Sequence, residues 1–328
     1  MPHVVTFGEI MLRLTTPGYQ RFSQATSLDV TFGGAEANVA VAIAQLGGEA
    51  SFVTKLPEHE LGQRAIDELQ RHGVYTSQIV RGGDRLGVYY LEQGASQRAA
   101  KVIYDRAGSS LATADPLNFE WGSIFEGVDW FHWSGITPAL SPACAQMVQT
   151  ASACAKALGL TVSFDMNFRS KLWTPTRAAA VLTPLMEHVD VCICGRNEAE
   201  AVFGIEDETE EAVANALAKK FNFGTVAMPQ RVATSASFTR FGLMLWVDGE
   251  IFQSRLHEIS IVDRVGTGDA CTGGLIYALL HGYGPAKAVA FAAAAGTMAH
   301  TIPGDFPLFS LAEVNGLASG GDGARVQR

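Results

Sequence analysis

Residues 263–270, DRVGTGDA, follow the apolar run EISIV and precede a helical pattern. Gly266 and Gly268 flank Thr267 at this predicted helix start, where unpaired N–H groups and the positive end of the helix dipole favour an anion. Glycine lets an anion approach the backbone because it has no Cβ. Asp269 could take a proton from an attacking hydroxyl while the amides hold a transferred phosphoryl group. An ordinary capped turn has a similar composition, so the segment alone indicates either a catalytic or a structural turn.

Two more groups of polar side chains follow predicted strands. LTVSF leads into Asp165, Asn167 and Arg169, and VDVCICG leads into Asn197 and Glu200. Open α/β sheets bind ligands beyond the carboxyl ends of their strands. Asn197 and Glu200, three positions apart on one helix face, suit water-mediated contact with a hard cation. The structural alternatives are an Asp165–Arg169 ion pair in a loop and ordinary helix-start chemistry for N-x-x-E.

Apolar strands alternate with helical patterns along most of the chain. HVVTFGEIML precedes the helical segment GGAEANVAVAIAQLGG, and the same alternation recurs after ASFVTKL, VDWFHWSG, LTVSFDMN and VDVCICG. This alternation predicts βαβ units and a mainly parallel sheet covered by helices on both faces. The three polar groups should then lie at the same edge of one sheet.

Two segments interrupt this alternation, residues 11–32 and 85–106, in which short alternating runs occur without a helix between them. We predict that they form a small antiparallel sheet that projects from the core. Its functional role would be a lid that also contacts another subunit, and its structural role would be an edge decoration or a dimer contact. The Gly-rich segment 317–328 is expected to be a disordered tail. The α/β core would comprise residues 1–10, 33–84 and 107–316.

Composition and charge argue against several classes of protein. The chain has 328 residues, of which 48% are hydrophobic, so it can bury a sizeable core. Its net charge of −9 argues against non-specific nucleic-acid binding, which needs a basic face. The N-terminus shows no secretory signal, and the apolar run at 287–299 is shorter than the roughly 20 residues of a membrane span. We therefore expect a soluble cytoplasmic protein with neither nucleic-acid nor membrane partners.

The cysteines indicate neither a disulfide framework nor a metal site. The chain has five of them, which is an odd number in a long sequence. Cys192 and Cys194 share one face of a predicted strand, and no second Cys/His pair accompanies them. We expect both to be buried in the core.

Three segments of the chain together resemble a known family. They are GGAEANVAVAIAQLG, NEAE and DRVGTGDA, and the last is similar to the D-T-x-G-A-G-D signature of the ribokinase-like (PfkB-type) carbohydrate kinases. The resemblance covers residues 4 to about 312 and departs from the signature at Arg264, where Thr is common, and at Thr267, where Ala is usual. It implies a ribokinase-like three-layer α/β/α fold with a mainly parallel central sheet and a small antiparallel β lid. It also implies ATP and Mg²⁺ as cofactors.

Within this family the closest resemblance is to the 2-keto-3-deoxygluconate kinases, through WSGITPALSP, FDMNFRSKLW, GVYYLE and VIYDRAGSSL. By matching position it implies substrate contacts from Gly34, Asn38, Tyr89, Tyr104, Arg106, Arg169 and Asp305. It implies nucleotide contacts from Asn167, Arg169, Asn197, Gly266 and Gly268. Two arginines supply the cationic partners that a sugar acid needs. Packing within the small sheet is the alternative role for the two tyrosines.

One feature that is common in the family is missing. Many relatives carry a Lys/Thr-x-Gly-x-x-Gly turn beside the nucleotide, and residues 223–249 contain no such turn. The nucleotide contacts of this segment are therefore open, with Arg231 and the Ser/Thr cluster at 234–239 as candidates to compensate.

The polar groups and the resemblance together predict an ATP-dependent kinase that phosphorylates the terminal hydroxyl of 2-keto-3-deoxygluconate. Asp269 would be the general base, and Asn197 and Glu200 would contact Mg²⁺ through water. We expect a homo-oligomer that associates through the lid sheet. The alternatives are a kinase for fructose, ribose or 5-keto-2-deoxygluconate, and a non-catalytic regulator that binds a sugar or a nucleotide.

Overall fold

The structure is a computed structural model that describes residues 1–321. Its strands are β1 (His3–Phe7), β2 (Met11–Thr15), β3 (Asp29–Gly33), β4 (Glu49–Val53), β5 (Lys55–Leu56), β6 (Val80–Arg81), β7 (Gly87–Glu92), β8 (Lys101–Asp105), β9 (Trp130–Ser134), β10 (Thr161–Asp165), β11 (Val191–Ile193), β12 (Thr225–Ala233), β13 (Phe238–Val247), β14 (Glu250–Gln253) and β15 (His257–Ser260). Its helices are α1 (Ala35–Gln45), α2 (Glu60–Arg71), α3 (Trp121–Ile124), α4 (Ile136–Leu140), α5 (Pro142–Ala157), α6 (Pro175–Leu185), α7 (Arg196–Phe203), α8 (Glu210–Phe221), α9 (Thr267–Leu280), α10 (Pro285–Ala299) and α11 (Leu311–Ala318). Short 3₁₀ turns lie at Pro116–Asn118 and Met186–His188.

A nine-stranded sheet forms the centre of the molecule, in the order β14-β13-β12-β11-β10-β9-β1-β4, with β15 also paired to β13. The strands from β4 to β12 in this order all run parallel. The edge formed by β13, β14 and β15 is antiparallel. The predicted mainly parallel sheet is therefore confirmed.

Helices cover both faces of this sheet, and each face has its own apolar core. Successive side chains of a strand point to opposite faces, so Val4 of β1 packs in one core and Val5 in the other. Helices α1, α2, α9, α10 and α11 contribute to the first core, and α3, α5, α6, α7 and α8 contribute to the second. Cys192 and Cys194 are both buried in the second core, in agreement with the prediction. The three-layer α/β/α architecture is thus confirmed.

Small residues let α9 pack closely between α1 and α10. A Cβ on Gly273 would lie 2.6 Å from Ala42, and one on Gly274 would lie 2.8 Å from Ala295. The facing segment of α10, Ala292–Ala295, is completely buried. This close packing fixes the N-terminus of α9, where the DRVGTGDA segment ends.

A separate four-stranded sheet, hereafter the small sheet, has the order β3-β2-β7-β8. Its strands come from the two segments that interrupt the α/β alternation. Pairing is antiparallel within each segment and parallel where β2 meets β7. Met11, Tyr89 and Leu91 form its buried side, against which Val265 packs. The small sheet therefore lies directly against the DRVGTGDA segment.

Two further predictions concern the membrane and the C-terminus. Within residues 1–321, no helix combines the length and the apolar character that crossing a membrane requires. Of the predicted tail, residues 317 and 318 end α11, and residues 322–328 lie outside the described part of the chain.

Candidate active site

A cavity of about 490 Å³ lies between the carboxyl ends of the central strands and the small sheet. Asp165 ends β10, Gly195 follows β11, and Tyr89 and Tyr104 face the cavity from the small sheet. The structure brings most of the predicted site residues together here, namely Gly34, Asn38, Tyr89, Tyr104, Arg106, Asn167, Arg169, Gly266, Thr267, Gly268, Asp269 and Asp305.

Two predicted residues lie elsewhere. Asn197 and Glu200 are exposed on α7 and do not line the cavity. Glu198, which stands between them, lines it instead and accepts hydrogen bonds from the N–H groups of Gly195 at 3.0 Å and Phe168 at 2.9 Å. The helix period turns Glu198 away from its neighbours and back over the helix start. An acidic residue at the third helical position was the sequence signal for this arrangement.

The turn before α9 leaves backbone N–H groups available to an anion. Gly266 caps the helix in the left-handed region, with φ of 80°. A Cβ at this position would lie 2.2 Å from the carbonyl oxygen of Asp305, so only glycine fits. The first N–H in this helix that bonds back along the chain belongs to Ala270. Throughout residues 1–321, no protein acceptor pairs with the N–H groups of Thr267 and Gly268.

Asp269 follows these amides in the chain and lines the same cavity. Asn38, on α1, donates a hydrogen bond from Nδ2 to Oδ2 of Asp269 at 2.6 Å. Asp269 keeps partial exposure to the cavity, yet protein surrounds its carboxyl group, and this burial raises the pKa of Asp269 to about 7. The hydrogen bond from Asn38 and the charge of Arg169 oppose the rise in pKa. A carboxylate with such a pKa can accept a proton near neutral pH.

Gly34 brings α1 into the position from which Asn38 reaches Asp269. A Cβ on Gly34 would lie 1.9 Å from the carbonyl oxygen of Glu9, so the two backbones can meet only at a glycine. The Gly34 carbonyl accepts a hydrogen bond from the N–H of Asn38 at 2.7 Å. The glycine that precedes α1 therefore allows the backbone to pass close to the backbone at Glu9.

Arg13 of β2 joins the small sheet to the loops on both sides of the turn. Its guanidinium pairs with Asp305 at 2.6 Å and with Asp263, and it also donates to Thr15 at 2.8 Å. Tyr89 donates its hydroxyl to Asp305. The Asp263 carboxylate accepts the N–H groups of Arg264 at 2.8 Å and Val265 at 3.2 Å, and of Gly304 at 3.1 Å. Sequence reasoning missed Arg13, because its partners are 250 and 292 positions away.

Arg106 and Arg169 differ in their surroundings. Arg106 is buried and donates from Nε to Glu9 at 2.8 Å, with the Tyr104 ring 5.5 Å from its guanidinium. Arg169 is exposed to the cavity. It forms no ion pair with Asp165, whose Oδ1 instead accepts the N–H of Asn167 at 3.1 Å. The predicted structural alternative of an Asp165–Arg169 pair is therefore wrong.

Three carboxylates share the cavity near the end of β10. Burial, followed by the charges of Glu198 and Asp269, raises the pKa of Asp165 well above its usual range. Asn167 next to it has φ of 38°, a conformation that residues other than glycine seldom adopt outside functional sites. Carboxylate oxygens are the ligands that hard cations prefer. No cluster of three or more His, Cys, Asp or Glu side chains within the described residues is arranged to hold a metal unaided.

The segment that lacks the family's glycine turn forms the hairpin of β12 and β13. Arg231 of β12 lines the cavity, whereas the Ser/Thr cluster at 234–239 does not. Arg264 also lines the cavity and donates to the carbonyls of Ser235 at 3.4 Å and Ala236 at 3.3 Å. Arg231, which the sequence analysis named as a candidate nucleotide contact, and Arg264, where the chain departs from the family signature, thus line the same cavity as the turn.

Comparison with known proteins places the chain in a family. Residues 1–305 match the pfkB family carbohydrate kinases. The chain is 37% identical to a 2-dehydro-3-deoxygalactonokinase of Haloferax volcanii over 97% of each protein. It is 47% identical to a 2-dehydro-3-deoxygluconokinase of Thermotoga maritima, whose crystal structure superposes with a TM-score of 0.95 over 97% of this chain and 98% of that one.

Kinases with lower sequence identity share the same fold. A fructokinase of Xylella fastidiosa, solved with bound ATP, shares the fold at 24% identity and a TM-score of 0.79, over 97% of this chain and 98% of that one. The resemblance noted in the sequence is confirmed by the family match and by the more similar proteins together. The chain belongs to the pfkB family of carbohydrate kinases and is a sugar kinase.

Proposed function

We propose that this kinase transfers the γ-phosphoryl group of ATP to the terminal hydroxyl of 2-keto-3-deoxygluconate (2-dehydro-3-deoxygluconate). One observation carries the proposal: the Asp269 carboxyl group and the unpaired N–H groups before it face the same cavity. The names of the Thermotoga and Haloferax relatives support a 2-keto-3-deoxy sugar acid as the substrate. The ATP bound to the fructokinase supports the donor.

In this mechanism Asp269 removes the proton of the sugar hydroxyl as its oxygen attacks phosphorus. The bond between phosphorus and the leaving oxygen of ADP breaks, and the proton moves to Oδ1 or Oδ2 of Asp269. Asn38 orients that carboxylate through its 2.6 Å hydrogen bond. The amides of Gly266, Thr267 and Gly268 would stabilise the negative charge on the transferred group, because these residues line the cavity and their N–H groups have no protein acceptor within residues 1–321.

The carboxylates of Asp165 and Glu198 fit a magnesium ion that would also bind the nucleotide phosphates. Both line the cavity, and the raised pKa of Asp165 reflects their mutual repulsion after the effect of burial. Mg²⁺ usually takes one or two carboxylates, with water and phosphate oxygens as its remaining ligands. Bound there, it would neutralise charge on the phosphates. Asn197 and Glu200 are exposed on α7, so they would contact the magnesium ion only through water.

The arginines near the small sheet would bind the carboxylate of the sugar acid. Arg169 is the freer of the two, since Arg106 already pairs with Glu9. Tyr104 belongs to β8 of the small sheet, lines the cavity and is 39% exposed, so a substrate could cover it. Tyr89 lies beside Tyr104 in the small sheet, and Asp305, held in place by Arg13 and Tyr89, would also contact the sugar.

The small sheet would act as the lid predicted from the sequence. It closes one side of the cavity through Tyr89 and Tyr104, and closure would exclude water from the phosphoryl group. Its outer residues Val30 and Ile103 are 38% and 55% exposed. We propose that a second copy of the chain covers them, which would make the lid part of a homo-oligomer.

The deciding experiment is a phosphorylation assay with ATP across acidic and neutral sugars. We expect 2-keto-3-deoxygluconate to have the highest kcat/KM, well above fructose, ribose and 5-keto-2-deoxygluconate. The galactonate epimer is the second candidate, because the Haloferax relative carries that name. A preference for a neutral sugar would refute the proposed substrate, and no ATP-dependent product with any sugar would refute the kinase reaction.

The same assay tests the role of Asp269. Asp269→Asn keeps the shape of the side chain but removes the base, so turnover should fall by about 10²–10⁴-fold while the affinity for the sugar acid survives. Asp84→Asn is the matched control, since Asp84 is exposed and does not line the cavity. Near-normal turnover of Asp269→Asn would remove Asp269 from the role of base.

A further inference from the structure

Arg231 lies in the cavity and outside the signature of the family. It lies on β12, where side chains alternate between faces. Pro229 and Arg231 both line the cavity. Gln230 between them points away and donates to Glu210 on α8 at 2.7 Å. The alternation of the strand therefore directs the guanidinium of Arg231 into the active site.

The position of this guanidinium is defined by two contacts. Arg231 pairs in register with Phe241 on β13, whose buried ring centre is 5.6 Å from the guanidinium carbon. One Nη atom donates to Oγ1 of Thr267 at 3.2 Å. Thr267 is the first residue of α9, so Arg231 stands beside the unpaired amides that would hold the phosphoryl group.

Within the described part of the chain, Arg231 forms no ion pair with an acidic side chain. Among the ion pairs of residues 1–321, none includes Arg231, Arg264 or Arg169, although all three line the same cavity. The side chain of Arg231 keeps exposure to the cavity. The protein that surrounds its guanidinium, followed by the neighbouring charge of Arg264, lowers the pKa of Arg231. Arginines with a purely structural role commonly pair with carboxylates. Three unpaired cations around one cavity instead match the charge of a polyphosphate.

We propose that Arg231 is a catalytic residue that contacts the phosphate chain of the nucleotide and stabilises the charge of the transition state. It would take the place of the glycine turn that residues 223–249 lack. The inference rests on the proposed function. As phosphorus moves from the leaving oxygen of ADP to the sugar oxygen, the proton goes to Asp269. Arg231 keeps all its protons and supplies hydrogen bonds and charge.

The rival explanation is that Arg231 only holds Thr267 in place. Arg231→Gln removes the charge, and Thr267→Ala removes the hydroxyl but leaves the amide and Arg231 present. A charge that acts in the transition state predicts that Arg231→Gln lowers kcat by about 10²–10³-fold, as loss of one such donor does. Thr267→Ala should then lower kcat far less. Arg231→Lys should recover part of the loss, because it restores the charge without the two-pronged geometry.

The experiment measures kcat and both KM values for the full chain and these variants, with thermal unfolding of each as a check on folding. Arg240→Gln is the matched control, since Arg240 lies on the paired strand, is exposed and does not line the cavity. We expect the KM for the sugar acid to stay within about threefold in Arg231→Gln, because the affected contact is to phosphate.

Three outcomes would overturn the inference. The first is a folded Arg231→Gln with the turnover of the wild type. The second is an equal loss in Arg231→Gln and Thr267→Ala without recovery in Arg231→Lys, which would show that the arginine only positions Thr267. The third is a rise in the KM for ATP with unchanged kcat, which would indicate ground-state binding alone. If the wild-type protein phosphorylates no sugar, the proposed function itself is refuted. The three outcomes above instead require an active wild-type enzyme, so the two failures can be told apart.

Discussion

Arg13 provides the sharpest test of how the structure holds the site together. The change Arg13→Met keeps much of the length of the side chain and removes its charge. Asp263 and Asp305, whose side chains are both 3% exposed, would then lose their shared cation. Arg13 itself is 2% exposed, so bulk water cannot replace it without rearrangement of the small sheet.

The expected loss of stability follows from burial. Removing one partner of a buried ion pair costs about 3–5 kcal/mol, because the remaining charge stays buried and unpaired. Here two carboxylates are left, although Tyr89 still donates to Asp305, and backbone N–H groups still bond to Asp263. These remaining donors keep the expected loss within that range. Such a loss is large compared with a typical unfolding free energy of about 5–15 kcal/mol.

The loss should depend on pH in a defined direction. Burial already raises the pKa of Asp305, with Arg13 as the main opposing charge, so removal of Arg13 raises that pKa further. A carboxyl group whose folded pKa exceeds its unfolded value stabilises the fold at low pH and loses this effect as pH rises through the folded pKa. The stability difference between wild type and variant should therefore be larger at pH 8 than at pH 5.

Urea unfolding at both pH values measures this difference without adding salt. Arg85→Met is the control, because it breaks a pair whose side chains are 37% and 54% exposed and should cost far less. A loss below about 1 kcal/mol at pH 8 would contradict the reasoning, since it would match an exposed pair rather than a buried one. A pH-independent loss would show that the carboxylates are not the groups affected.

Three other predictions concern catalysis. The value of kcat/KM should fall below about pH 7, where Asp269 becomes protonated. Asn38→Ala should shift this fall to higher pH, because the hydrogen bond from Asn38 lowers the pKa of Asp269. A pH–rate profile that is the same in the variant and the wild type would argue against Asp269 as the base. Arg106→Ala should raise the KM for the sugar acid by roughly 10-fold or more, because a hydrogen bond to a charged group contributes about 1.5–3 kcal/mol. Equal rises in the KM for the sugar acid and the KM for ATP would exclude a contact with the substrate carboxylate. Gly266→Ala should lower both turnover and the melting temperature, because its Cβ would lie 2.2 Å from a carbonyl oxygen. Gly268→Ala, which has open space around its Cβ, should melt like the wild type.

The sequence contained enough information to predict the layers of the fold. The apolar runs that became β1, β4, β9, β10 and β11 alternate with helical patterns, and a parallel sheet is the arrangement that buries such strands on both faces. The rule that parallel strands align their carboxyl ends then placed Asp165 near Asp269, and both line the cavity. Gly266 was predictable as well, because a helix start that binds an anion favours a residue without a Cβ.

Which residues meet inside the site was decided by the tertiary structure alone. Glu198 rather than Asn197 or Glu200 faces the cavity, since the rotation of α7 depends on the core beneath it and not on the spacing of its polar residues. In the sequence around it, Arg13 is only a polar residue in a predicted strand. Its role depends on Asp263 and Asp305, which lie hundreds of positions away in the chain. Hydrophobic periodicity is a property of neighbours along the chain, whereas the pairing of buried charges is a property of neighbours in space. The sequence therefore determined the elements and the edge at which chemistry could occur, and only the fold determined which charges stay unpaired there for a ligand.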